Sequence, residues 1–157
     1  MNGRSWSIPE IEAAHRRVAI DANVLIYLLE ADERRGALAL AVIDAIDLGR
    51  LSGVLATVGG LEVLTGPAKA RDQAGFERTA EEVRSLPLQA VSLSTAIAED
   101  AAWLRGSDGL SMADAIHVAS ARAAGATAMI TNDRRIRART GLEVYYLDDL
   151  TLNQPLP

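Results

Sequence analysis

No cysteine occurs in the 157 residues, so disulfides, thiolate catalysis and cysteine-held zinc or iron–sulfur centres are excluded. A reducing compartment is compatible with that absence. Histidine is nearly as scarce, with His15 and His117 as its two occurrences, so any metal must be held by oxygen or by those imidazoles. Aromatic residues make up 4% of the chain, too few for a binder that stacks successive nucleic-acid bases. Lysine occurs once, as Lys69, which leaves arginine to carry almost all positive charge. No apolar run approaches the ~18 residues of a membrane-spanning helix. The opening MNGRSWSIPEIEAAHRR is too polar for the apolar segment of a signal peptide. The expectation is a cytoplasmic protein without membrane association.

What the chain does contain is enough apolar material for one core: 49% hydrophobic and 24% charged residues in a length typical of a single domain. Residues 18–157 are read as that domain, preceded by an extension over 1–17 that is expected to be helical, with Ser7 and Glu10 at capping-box spacing and Pro9 in the first turn. The net charge of −5 argues against nucleic acid as a partner. That argument weakens if four carboxylates serve a metal, because 17 acids then face 16 basic residues. Distribution then decides, and RRIRAR at 134–139 places four arginines in six positions, readable also as a solvated surface.

Helix-period stretches alternate with short apolar runs, the pattern of a parallel sheet covered by helices on both faces. Strands are expected near 18–21, 54–57, 88–91, 127–130 and 143–147. Helices are expected at 23–30, 34–48, 58–65, 68–85, 94–105 and 112–124. Gly49, Gly106 and Gly125 follow three of them, and Pro67 and Pro87 interrupt helical continuity near two other boundaries.

In an open α/β sheet ligands bind beyond the carboxyl ends of the strands, so polar residues at those joints carry the information. Asp21 ends the first strand. Glu62 follows the second, in a helix whose Val58, Leu61 and Leu64 are the expected core face. Asp114 opens the helix SMADAIHVASARAAG, and Asp133 follows the next strand in AMITNDRRI. Singly, each has a bland explanation: Asp21 and Asp133 as helix caps, Asp114 in a capping box with Ser111, and Glu62 at the positive end of its helix. Jointly, four anions converging without a cation repel one another, and a divalent ion reverses that. Oxygen ligation suits Mg²⁺ or Mn²⁺, which can activate water for phosphodiester hydrolysis without a protein nucleophile. Asn23 either holds a metal-bound water or sits on an exposed helix start, and Thr131 fixes the loop that carries Asp133. Arg134 and Arg135, beside Asp133, are better candidates than Arg137 or Arg139 for pairing with a nucleic-acid phosphate, with an exposed loop or a partner-facing patch as the alternative.

Other signals are set aside. His117, three residues beyond Asp114, is read as a satisfied core or interface histidine and not as a base; His15 is read as surface. Trp6 and Trp103 are read as packing residues. GGLEVLTGPAK lacks the spacing of a phosphate loop, and no G-x-G-x-x-G occurs.

The chain resembles the PIN-domain ribonucleases, most closely the VapC-type toxins of toxin–antitoxin pairs, over residues 18 to about 150. The resemblance rests on IDANVLIYLL, on the Glu of LEVLTGP, on GLSMADAIHVASARAAGATAMITNDRRI and on the closing GLEVYYLDDL. It implies a five-stranded parallel sheet, Mg²⁺- or Mn²⁺-dependent cleavage of structured RNA, a homodimer, and a small antitoxin that blocks the site. Carried over by position, the acidic quartet is Asp21, Glu62, Asp114 and Asp133, supported by Asn23 and Thr131. The rival reading is a catalytically inactive PIN-like module that binds RNA or protein. An aspartyl-phosphate phosphatase built on Asp21 lacks its second Asp, since Asn23 stands two residues on.

Overall fold

The computed structural model describes residues 4–139 and 141–152. Residues 1–3 of the expected extension, and Thr140 and 153–157 of the expected domain, lie outside the described residues.

The elements run in the order α1 (Ile8–Ala14), β1 (Arg17–Ile20), α2 (Ala22–Leu29), α3 (Glu33–Asp47), β2 (Ser52–Ala56), α4 (Thr57–Lys69), α5 (Gln73–Ser85), β3 (Leu88–Val91), α6 (Thr95–Asp108), α7 (Met112–Ala123), β4 (Ala128–Thr131) and β5 (Glu143–Tyr146), closed by a 3-10 turn over Leu147–Asp149. The five strands form one parallel sheet in the order β3-β2-β1-β4-β5. Helices cover both faces, as the alternating pattern predicts.

Side chains on a strand alternate between faces, and the central strand β1 divides its residues accordingly. Val18 and Ile20 enter a core with Leu25, Val42 and Ile46 of α2 and α3. Ala19 enters a second core with Leu104, Val118 and Met129, under α6 and α7. Burial on both faces explains why these strands read as unbroken apolar runs. Each fully buried Ile, Leu or Val contributes about 1.5–3 kcal/mol of apolar transfer energy against chain entropy.

Strand order fixes where a ligand can sit. From β1 the chain moves outward to β2 and β3, then returns to β4 on the other side of β1. The direction of winding reverses between β1 and β4, opening a crevice at their carboxyl ends. Asp21 stands there, its N–H still in the ladder with the Ile130 carbonyl at 3.0 Å.

Three boundaries depart from expectation. The helix expected to stop before Pro67 continues to Lys69, because the chain re-forms its ladder past the proline, Ala70 N–H donating to Gly66 O at 3.1 Å. The break comes instead at Arg71, with φ +54°, followed by Asp72, whose carboxylate accepts from Gly75 N–H at 2.9 Å and starts α5. Gly106 does not end α6. The helix runs to Asp108 and stops at Gly109, whose φ of +69° takes the left-handed conformation open to glycine.

The N-terminal segment is helical and capped by Glu10, whose carboxylate accepts from Ser7 N–H at 2.6 Å. Trp6 is buried beside it. Its indole N–H donates to Tyr146 O at 2.8 Å, and its backbone pairs with Asp149 and Thr151. The surface assignment of His15 is wrong: it is buried, with Nδ1 2.8 Å from Thr127 Oγ1 and Nε2 3.0 Å from Tyr145 Oη, because the chain entering β1 at Arg17 carries the residue two positions earlier against Thr127 and β5. Burial and the Glu143 carboxylate push the Tyr145 hydroxyl up to about 12. Trp103 is also misread; it lies outside the buried α6 stripe of Ile97, Ala101 and Leu104 and is 76% exposed. Among the described residues no helix is long and apolar enough to cross a membrane.

Candidate functional site

Asp21 leaves β1 and caps α2, which buries it: its Oδ1 accepts from Ala22 N–H at 2.7 Å. Its Oδ2 accepts from the Thr131 hydroxyl at 2.6 Å and from Asn23 Nδ2 at 3.2 Å. Burial still dominates, and it pushes the Asp21 carboxyl above the usual carboxylate range despite these donors and the nearby His117.

Thr131, at the end of β4, is fully buried and works in two directions. Besides donating to Asp21, its hydroxyl accepts from Asp133 N–H at 3.0 Å, which sets the start of the loop after β4. Asn23 completes that tie, its Oδ1 accepting from Asn132 N–H at 3.1 Å. Asn132 in turn accepts from Asp148 N–H at 3.0 Å, joining the loop to the closing 3-10 turn.

Glu62 reaches the same point from α4. The expected core face of that helix is off by register. Gly59 and Val63 are its buried residues, Leu61 is 64% exposed, and Glu62 lies beside the inner stripe facing α7. There His117 Nε2 is 2.7 Å from Glu62 Oε2 and 3.4 Å from Asp21 Oδ1. Burial alone lowers the affinity of His117 for a proton, but the Glu62 hydrogen bond and the charges of Asp21, Glu62 and Asp114 outweigh it and raise it. One donor atom from each of Asp21, Glu62 and His117 lies within 4.8 Å of the other two, so these three side chains can hold an ion.

Asp114 stands one helical turn before His117, on the same side of α7. Ser111 caps that helix, its hydroxyl accepting from Asp114 N–H at 3.1 Å. The Asp114 carboxylate is close enough for its charge to act on both His117 and Arg135. Asp133 is turned to a different partner. Its carboxylate takes Arg135 Nη2 at 2.6 Å and Arg135 Nε at 3.0 Å, which holds it below the usual carboxylate range. Asp21 and Glu62 therefore come within 4.8 Å of each other around His117, Asp114 borders them, and Asp133 sits at the rim in an ion pair.

The two rim arginines differ. Arg134 is doubly bonded to Asp149, at 2.8 Å to each oxygen, and lies over the Tyr146 ring at 4.1 Å. Arg135 is 79% exposed.

The PIN domain family model matches residues 18–142. The chain belongs to the PIN domain family. This PIN domain is similar in fold to a toxin–antitoxin complex from Klebsiella pneumoniae, at 22% identity and a TM-score of 0.58, covering 80% of this chain and 94% of that one. It is similar to VapBC2 from Rickettsia felis bound to a promoter DNA fragment, at 14% identity and a TM-score of 0.63, covering 83% and 98%. It is also similar to VapC20 of Mycobacterium tuberculosis, a toxin that cleaves the sarcin–ricin loop, at 17% identity and a TM-score of 0.56, covering 71% and 86%. No curated protein sequence matches the chain.

Within this PIN domain, His117 is the site residue that sequence reasoning passed over. It is a satisfied buried histidine, as expected, but what satisfies it is the acid cluster. The available signal was its spacing of three from Asp114, which sets both on one side of α7.

Proposed function

We propose that this PIN domain is a Mg²⁺- or Mn²⁺-dependent endoribonuclease and the toxin of a toxin–antitoxin pair, acting on cytoplasmic RNA as a homodimer and silenced by a small antitoxin. The observation that carries the reading is the meeting of Asp21 and Glu62 around His117 at the sheet's switch point, with Asp114 one turn away.

The donor set fits a divalent cation. Asp21 is buried with a carboxyl that burial makes reluctant to ionise, and a cation at its free edge favours the charged form. Asp21, Glu62, Asp114 and Asp133 are the residues proposed to hold the metal. When bound, such ions would lower the pKa of water toward neutrality and offset charge on the phosphate.

The chain's own residues do the rest. Thr131 and the α2 N-terminus hold Asp21 in one orientation, and His117 holds Glu62. Asn23 keeps the loop before Asp133 closed against α2 and presents its amide at the same edge. Arg135 exchanges Asp133 for an RNA phosphate, an exchange between two charge-assisted pairs of similar strength. Arg134, tied to Asp149, contributes mainly field.

The test is incubation of the purified full chain with total RNA, with and without Mn²⁺, beside Asp114→Asn, and mapping of the cut ends. Cleavage is expected for the wild type with Mn²⁺ alone. RNA that is retained but left whole under all conditions favours the inactive binding module.

A further inference from the structure

Resting on the metal-dependent reading above, we infer that His117 supplies a nitrogen ligand through Nε2, so that the site is a mixed carboxylate–imidazole site selecting Mn²⁺ over Mg²⁺. Three observations lead there.

The first is spacing. Two adjacent donors on one octahedral ion, each about 2.1 Å from it, lie ~3 Å apart. His117 Nε2 stands 2.7 Å from Glu62 Oε2 and 3.4 Å from Asp21 Oδ1, on either side of that value. The imidazole nitrogen thus occupies a corner that a purely carboxylate site leaves to water.

The second is how α4 and α7 are brought together. A Cβ at Gly59 would lie 3.1 Å from His117 Cε1 and 2.7 Å from Leu55 Cδ1. Leu55 is buried in the core beneath, so it cannot move aside freely. Glycine at 59 is what lets the His117 ring reach over α4 to Glu62, one turn further along the same helix. The ring is 2% exposed and so held in that position by packing.

The third is donor chemistry. Mg²⁺ is hard, favours oxygen and retains its waters, whereas affinity for imidazole rises from Mn²⁺ along the first-row series. Exchanging one oxygen for a nitrogen weakens Mg²⁺ relative to Mn²⁺.

Pulsed electron paramagnetic resonance on the Mn²⁺-loaded full chain reads the ligand directly. A ¹⁴N coupling is expected that converts to a ¹⁵N coupling in protein labelled with ¹⁵N-histidine and is absent from His117→Gln. Calorimetric titration with Mn²⁺ and Mg²⁺ separately is expected to show Mn²⁺ affinity falling at least roughly tenfold in His117→Gln, no less than the loss of an outer-shell partner of a ligand costs, with a smaller loss for Mg²⁺. Gly59→Ala is expected to weaken the nitrogen coupling while the carboxylates remain. Mn²⁺ that binds without any nitrogen coupling, with RNA still cleaved, overturns this inference and leaves the nuclease reading standing. If no Mn²⁺ binds the wild type, both fall. The wild-type spectrum decides the matter even if His117→Gln does not fold.

Discussion

The Thr131 hydroxyl donates to Asp21 at 2.6 Å and accepts from Asp133 N–H at 3.0 Å, so one buried oxygen sets both the first acid and the loop of the last. Asp21 and Asp133 are 112 residues apart in the chain, and β1 and β4 pairing brings them within reach of one side chain.

Replacing Thr131 by Val keeps the shape and removes that oxygen. A buried carboxylate then loses a donor and an N–H loses its acceptor, a cost of about 1–3 kcal/mol. Thr131→Ser is expected to recover most of it. Urea denaturation reads the stability, and RNA cleavage is expected to fall in Thr131→Val with kcat affected more than KM. Equal stability of the Val and Ser variants would count against the assignment.

Asp114→Asn separates helix capping from metal binding. The α7 cap runs from Ser111 to the Asp114 backbone and survives the change. Stability without metal is therefore expected to stay within about 0.5 kcal/mol of wild type. The rise in Tm on adding Mn²⁺ and the cleavage of RNA are both expected to disappear. Thermal melts with and without Mn²⁺ provide the check.

Acid lability is expected to trace partly to Asp148. Its hydrogen bond and ion pair with Arg35, at 2.9 Å to Arg35 Nε, hold its carboxyl below the usual range. A carboxyl depressed in the folded state stabilises above its unfolded value of ~3.9 and loses that contribution as pH falls through the folded value. Asp148→Asn should therefore lower the denaturation midpoint at pH 7, and the deficit should shrink progressively as pH falls below the unfolded value of ~3.9. A deficit that persists undiminished at low pH would point to packing instead.

Trp6 fastens α1 and the closing turn to the sheet. Trp6→Ala is expected to cost about 3–5 kcal/mol by leaving a cavity. Trp6→Phe should cost about 1 kcal/mol for the lost hydrogen bond to Tyr146 O. Cleavage per folded molecule should be unchanged in Trp6→Phe, since the hydrogen bonds of Trp6 go to Tyr146, Asp149 and Thr151 and to none of the four acids. Denaturant midpoints and activity at matched folded fraction test both.

The order of strands and helices, the two-faced sheet and the joints that carry Asp21, Glu62, Asp114 and Asp133 were legible in the chain, because apolar period and strand-to-helix joints are local patterns. Gly49 and Gly125 ended helices for the same local reason. The Pro67 boundary misled because a proline removes one hydrogen bond, which packing of α4 on its neighbours offsets. Which face of α4 turns inward was misread as well: Leu61 outranks Gly59 in hydrophobicity, yet the close approach to α7 requires the smaller residue.

What only tertiary structure decided is the relation between the acids. Residue types at the ends of strands specify that carboxylates can gather, but not which of them touch. The pairing of β1 with β4 and the seating of α4 on α7 put Asp21, Glu62 and His117 together, while a neighbour two residues on claimed Asp133. Distances of a few ångströms between side chains 55 to 110 residues apart arise from how helices pack, and that packing is summed over the whole core.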